Sequence, residues 1–235
     1  MNSDNAESGI DLPKQLQKYA EDIVRLYQSE KEKRKELEIA NNKLLESYQE
    51  TINRLVIASE YRDEGTGNHI VRMASYCAII AEKHGLSETE VEKIRIAAPM
   101  HDVGKIGIPD SILLKPGKLT SEEFEVIKNH TLIGEKILGG SRSEILQLGT
   151  EIALTHHEKW NGKGYPKGLA GAEIPLAGRI AAIADVFDAL TSKRPYKGAF
   201  TVEDARDIIK KERGEHFDPE LADIFLNNID AAFEN

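Results

Sequence analysis

The sequence predicts an all-α fold, in which a long solvated helix precedes a compact helical bundle. Three observations carry that prediction. Between Leu12 and Ala58 there is no glycine, and the single proline, Pro13, stands at the very start. From Ile70 onward apolar residues recur at helical spacing, and nothing alternates with period two over a useful length. Helix-opening signatures recur at Ser87, Thr120, Thr201 and Asp218. Residues 1–10 are polar and read as disordered, 11–56 as the long helix, and 57–235 as the compact domain.

The long helix carries Leu16, Tyr19, Ile23, Leu26, Leu37, Leu44, Tyr48 and Leu55 at near-heptad spacing, with breaks at Glu30 and Lys33. A helix this polar gains little from folding alone. The stripe therefore predicts a parallel coiled coil joining two copies, with a solitary solvated helix as the alternative. In the compact domain Ile70, Met73, Ala74, Cys77, Ile80 and Ala81 follow the i, i+3, i+4, i+7 rule of a core-facing helix. Ser87-x-x-Glu90 is a capping box opening a helix through Ile94, Ala97 and Met100. Residues 104–118 hold glycines and two prolines without helical period, which predicts a surface loop. Thr120-x-x-Glu123 caps one helix running toward His130 and Ile137, and residues 144–156 are helical again. A second, glycine-rich loop spans 160–175, followed by an apolar helix over 177–191. Thr201-x-x-Asp204 opens another helix, and Asp218-Pro219 supplies a cap and a first-turn proline for a last one over 220–233.

Hydrophobic residues make up 40% of the 235-residue chain and charged residues 30%, which is soluble globular composition. The net charge of −9 excludes broad binding to nucleic acid or an anionic membrane, both of which need a basic face. A small anionic substrate stays compatible, because bound cations reverse the local field. The single cysteine, Cys77, lies on an apolar helical stripe and reads as a small core residue. A chain without an intrachain disulfide suits a reducing compartment, the cytoplasm. The first residues lack the basic and apolar regions of a signal peptide, and no run reaches the about 20 apolar residues of a membrane helix. An upstream sensor or membrane segment stays open.

Five of the seven histidines are unusually placed. His69 opens one helix, His101 and Asp102 are adjacent near the end of another, and His130 ends a third. His156 and His157 are adjacent just before the glycine-rich loop. Asp185 stands in the otherwise apolar run Ile180-Ala-Ala-Ile-Ala-Asp-Val-Phe-Asp, where a buried carboxylate needs a partner or a cation. Arg179 is the nearest candidate partner in sequence. Each residue alone has a structural explanation as a cap or a satisfied core group. Together, imidazoles and carboxylates suit iron, manganese or zinc, and an aspartate can bridge two cations. Two cations about 3.5–4 Å apart suit a phosphate ester. Lys105 follows Asp102 by three residues, so a continuing helix puts it on the same face, where it would stabilise phosphoryl charge. His84, before Gly85, reads as a helix-end residue, and His216 as structural.

His101-Asp102-Val-Gly-Lys105 resembles the signature of the HD superfamily of metal-dependent phosphohydrolases. His156-His-Glu-Lys-Trp-Asn-Gly-Lys-Gly164-Tyr165-Pro166 resembles the extended motif of its HD-GYP branch. The resemblance covers roughly 57–233 and includes Lys105-Ile-Gly-Ile-Pro-Asp, Leu114-Lys-Pro-Gly-Lys-Leu and Arg194-Pro-Tyr-Lys197. It implies an HD-type helical bundle and a phosphodiesterase acting on cyclic di-GMP, a bacterial second messenger. On that resemblance one metal is held by His69, His101 and Asp185, a second by His130, His156 and His157, and Asp102 bridges them. Lys105 contacts the scissile phosphate, Arg194 and Lys197 hold guanine and phosphate groups, and Tyr165 shapes the pocket. Iron is the commonest metal implied, then manganese. Some members bind a third metal through a glutamate four residues before the first histidine. Here that position is Gly65, with Asp63 and Glu64 displaced, so the implied centre has two metals and favours linear pGpG over GMP as product. The implied partners are cyclic di-GMP, a second copy through the long helix, and an upstream sensor or receiver domain. The alternatives are a phosphodiesterase for another cyclic dinucleotide, an HD nucleotidase, and a non-catalytic cyclic-dinucleotide receptor. The GYP segment argues against the nucleotidase, and the intact ligand set argues against the receptor.

Overall fold

In the computed structural model the described residues are 12–61, 68–192 and 200–229. Packing divides the chain into two units, with the division between Thr51 and Ile52. The first unit is the long helix, part of α1 (Leu12–Glu60). Its apolar stripe faces outward: Leu26 is 69% and Leu37 71% exposed. Its charges pair along the helix, as where Arg34 reaches Glu30 at 2.7 Å one turn back.

The second unit takes in the last turns of α1, where Ile52 packs on the core and Val56 is buried. It continues with α2 (Asn68–Lys83), α3 (Glu88–Ala97), a 3₁₀ segment (Ala98–Gly107), α4 (Asp110–Leu113), α5 (Ser121–Lys128) and α6 (His130–Leu138). Then come α7 (Glu144–Thr155), α8 (Leu176–Thr191), α9 (Val202–Lys211) and α10 (Pro219–Asn228). Among the described residues there is no strand, only the isolated bridges Asn161–Ala170 and Arg213–Phe217. The all-α prediction holds.

The core lies where α2 and α8 cross. Ile70, Met73, Cys77, Ile80 and Ala81 of α2 are buried with Ile180, Ile183, Ala184 and Phe187 of α8. Phe187 meets Tyr76 edge-on at 5.3 Å and Phe225 at 4.9 Å. Each such ring contributes roughly 1.5–3 kcal/mol by leaving water. Cys77 is fully buried, as expected of a core residue, and burial pushes its thiol pKa up. The caps fold as read: Ser87–Glu90 and Thr120–Glu123 are closed capping boxes, and Thr201 and Asp218 each accept backbone N–H groups.

Four expectations change. The helix opened at Ser87 is α only to Ala97; Pro99, which has no N–H to bond one turn back, stands at the start of the tighter 3₁₀ segment. Residues 104–118 are therefore only in part a surface loop: the 3₁₀ segment reaches Gly107, Ile108 is buried and α4 follows, and the expected loop remains only over 114–118. The helix expected through His130 is two helices, because Asn129 closes α5 with an i→i−3 bond to Val126. His130 consequently opens α6 rather than ending a helix. The last helix is described to Asn228, and the expected extension to Phe233 lies outside the described residues, as do residues 1–10.

Two glycines set the approach of the elements that matter next. A Cβ on Gly104 would lie 1.9 Å from the His130 carbonyl oxygen, so only glycine lets the 3₁₀ segment reach the start of α6. A Cβ on Gly178 would lie 2.1 Å from Thr155 Oγ1, so glycine likewise lets α8 meet the end of α7. These two crossings bring His101-Asp102, His130, His156-His157 and Asp185 into one place.

Candidate metal centre

The seven predicted ligands converge as two groups. His69, His101 and Asp185 each place one donor atom within 4.8 Å of the others, and so do Asp102, His130, His156 and His157. Within the first, His69 Nε2 lies 3.5 Å from His101 Nε2 and 4.0 Å from Asp185 Oδ1. Within the second, His130 Nε2 lies 3.5 Å from His156 Nε2. Asp102 spans the groups. Its Oδ2 is 3.2 Å from His101 Nε2, and its Oδ1 is 3.3 Å from His130 Nε2 and 3.7 Å from His156 Nε2.

The far side of each ring decides what the near side can do. His101 Nδ1 donates to Ala98 O at 3.1 Å, His130 Nδ1 to Ile127 O at 2.7 Å, and His156 Nδ1 to Ile152 O at 3.0 Å. A carbonyl oxygen only accepts, so the proton sits on Nδ1 and each Nε2 presents a lone pair. The lone pairs point at one another and at a carboxylate whose Oδ1 is buried without a hydrogen-bond partner. Convergent lone pairs around an orphaned oxygen repel; a cation among them turns that conflict into coordination. The residues present thus fit divalent metal ions.

The electrostatics agree. Burial alone would raise the Asp102 carboxyl, but Lys105 and the neighbouring histidines hold it well below the usual carboxylate range. Burial pushes His156 and His157 well below the ordinary imidazole range, reinforced by their neighbouring rings. Burial also lowers His130, against the opposing pull of Asp102. Neutral imidazoles and an ionised aspartate are the protonation states that metal ligation needs. His69 is the exception. Burial is the largest influence and would lower it, and His101 adds to that, yet the bond to Asp188 together with the charges of Asp185 and Asp188 raises it.

Lys105 sits where the spacing argument put it, Nζ 2.8 Å from Asp102 Oδ2. The 3₁₀ winding supplies the reason, since side chains at i and i+3 eclipse in that geometry. Tyr165 stacks on His157, with ring centroids 4.7 Å apart and planes 29° apart. Lys128 Nζ lies 5.3 Å from the Phe124 ring centroid and 5.5 Å from that of Tyr165. Arg179 does not pair with Asp185: its Nη1 meets Asp218 Oδ2 at 2.5 Å. His84 follows the end of α2, bonding back to Ile80, as expected of a helix-end residue. His216 stacks flat on Phe217 at 4.3 Å. Arg194 and Lys197 lie outside the described residues, as do Asp63, Glu64 and Gly65.

Sequence reasoning missed two buried carboxylates. Asp188 accepts from His69, Arg72 and Ser192. Glu158 accepts Lys167 N–H at 2.7 Å and Leu169 N–H at 3.0 Å, which folds the glycine-rich loop back so that Tyr165 reaches His157. The available signal for Asp188 was its i+3 spacing from Asp185.

A family profile described as "HD domain" matches residues 42–221. The cyclic di-GMP phosphodiesterase response regulator RpfG of Xanthomonas campestris pv. campestris is 47% identical over 91% of this chain and 58% of its own length. A cyclic di-GMP phosphodiesterase of Thermotoga maritima is 54% identical over 75% of this chain and 48% of its own. The 3'3'-cGAMP-specific phosphodiesterase 2 of Vibrio cholerae is 47% identical over 80% of this chain and 36% of its own. The chain thus spans about half the length, or less, of these relatives.

Proposed function

The chain belongs to the HD domain family, and from that premise we propose that it is a metal-dependent phosphodiesterase hydrolysing cyclic di-GMP to linear pGpG. One observation carries the reading: two groups of buried and half-buried donors lie on either side of Asp102, which belongs to one and reaches His101 of the other through Oδ2, while its Oδ1 is buried without a hydrogen-bond partner. Relatives named cyclic di-GMP phosphodiesterases at 47% and 54% identity support the substrate.

His69, His101 and Asp185 would hold one cation, His130, His156 and His157 a second, and Asp102 would bridge them; iron is the first expectation and manganese the next. Divalent cations held there supply Lewis-acid neutralisation of phosphoryl charge. The protein's own groups do the rest. Nδ1–H bonds to backbone carbonyls lock the imidazoles so that no proton competes for Nε2. Lys105 places a positive charge beside Asp102, where it meets the scissile phosphate. Tyr165, stacked on His157, forms an aromatic wall against which a purine can lie. Arg194 and Lys197 are proposed to hold guanine and phosphate, and Gly65 to leave the centre with two cations rather than three.

The relative named a response regulator is matched over 58% of its length, which supports an upstream receiver or sensor domain. The outward apolar stripe of α1 supports a homodimer through a coiled coil. No helix among the described residues is long and apolar enough to cross a membrane; the buried, unpaired Cys77 supports a cytoplasmic setting. A second reading, hydrolysis of 3'3'-cGAMP, is favoured by the relative named for that substrate at 47% identity. The test is one preparation purified without oxygen, with metals counted and both dinucleotides followed over time. Two metals per chain and accumulation of pGpG are expected. Metal-replete protein that leaves cyclic di-GMP intact would end the reading, and cleavage of 3'3'-cGAMP alone would install the second.

A further inference from the structure

The two halves of the centre are backed differently. His101, His130 and His156 each donate Nδ1–H to a carbonyl three or four residues earlier in their own segment. His69 is the second residue of α2, so no turn of its helix precedes it. Its Nδ1 donates instead to Asp188 Oδ2, 2.7 Å away and 119 positions along the chain. The geometry is a pair of facing i, i+3 couples. On α2, Arg72 follows His69 by three; on α8, Asp188 follows Asp185 by three.

Asp188 is held from three sides. Arg72 forks onto it, Nε to Oδ1 at 2.5 Å and Nη2 to Oδ2 at 2.9 Å. Arg72 Nη2 also donates to Ser192 Oγ at 2.7 Å, and that hydroxyl donates to Asp188 Oδ2 at 3.2 Å. The Asp188 side chain is 1% exposed. A carboxylate so buried is tolerable only with its counter-charge, and the bidentate fork is the strong form of that pairing.

We infer that Asp188, held by Arg72, is the positioning residue of the His69/His101/Asp185 half of the centre and sets that half's affinity for its divalent cation. A carboxylate behind an imidazole orients the ring and raises its basicity, and removing such a partner typically weakens metal affinity about 10–100-fold. The described partners behind His130 and His156 in the other half are neutral carbonyls. Asp188 therefore tunes one half and leaves the other alone. The inference rests on the metal-centre reading above.

The experiment uses the full chain stripped of metal and titrated with Mn²⁺ without oxygen, wild type beside Asp188→Asn. In the variant one of two binding events weakens by about 10–100-fold and the other is unchanged. Asp185→Asn, which removes a donor from the same half, abolishes that same event. A strongly downfield His69 Nδ1–H resonance, present in the wild type, is lost in Asp188→Asn. Equal weakening of both events, or of neither, overturns the inference while leaving the two-metal reading intact. Wild type that binds no Mn²⁺ overturns that reading and this inference with it. Should Asp188→Asn not fold, Arg72→Lys, which keeps the charge and loses the fork, is titrated in the same way. It is expected to weaken the same event by less, and no change there overturns the inference.

Discussion

The stretch of α1 before Ile52 and the unit that follows are both helical, yet the same residue types mean opposite things in each. In α1 the carboxylates are solvated and pair weakly with a neighbour one turn away, as Glu30 does with Arg34. Its leucines stand in water. In the packed unit Asp102 and Asp188 are buried, and each is surrounded by groups from distant elements. Solvent makes a carboxylate in α1 almost interchangeable with any other; burial makes one in α8 specific to its partners.

Changes at the buried site break that contrast most severely. Asp102→Ala removes the carboxylate whose two oxygens face the two groups, and we expect metal loading to fall and turnover of cyclic di-GMP to drop by well over about 100-fold, more than loss of a supporting partner causes. Elemental analysis and product chromatography on the same sample check it; retained metal with normal turnover would show that Asp102 is a bystander.

Next in size is the core. Phe187→Ala should destabilise the packed unit by about 3–5 kcal/mol in denaturant unfolding, since its ring is enclosed by Tyr76 and Phe225. Smaller is a pH effect at His216. Burial, aided by Lys159 and opposed by Asp185, lowers its pKa to about 4. The folded pKa lies below the unfolded value of 6.5, so the fold favours the neutral ring. The resulting stability is fully present above pH 6.5 and is lost as pH falls toward about 4, where this group's contribution ends. The loss is of the order of 3 kcal/mol. His216→Gln should flatten the stability curve across that window, and an NMR titration midpoint near 6.5 would refute the shift.

The smallest effect is expected in α1. Leu26→Ser, at a residue 69% exposed, should move the melting of the packed unit by no more than about 0.5 kcal/mol. Light scattering should nonetheless show weaker self-association if the stripe pairs two copies. A dimer unaffected by combined Leu26→Ser and Leu37→Ser would place the interface elsewhere.

Much of this was legible from local pattern. Helical period, caps at Ser87, Thr120, Thr201 and Asp218, and the outward stripe of α1 depend on residues within one or two turns, and they appear where the pattern puts them. The seven clustered residues were also legible, because adjacent histidines and a lone aspartate among alanines are costly unless they share a task. The breaks were not. A proline at position 99 was visible, but whether the chain then kinks, stops or tightens to 3₁₀ depends on what packs against it, and the close approach at Gly104 belongs to that answer. The split at Asn129, which turns His130 from a helix end into a helix start, is likewise a matter of packing.

The sequence by itself determined the helical class, the helix starts capped by Ser87, Thr120, Thr201 and Asp218, and the identity of the clustered donors, because spacing and capping are properties of neighbouring residues. Only the tertiary structure decided which carboxylate stands behind which imidazole, that Arg179 serves Asp218 rather than Asp185, and that Glu158 folds the Tyr165 loop back. Those pairings join positions far apart in the chain. Their choice follows from which helices cross, and crossing is set by the packing of the whole core rather than by any local run of residues.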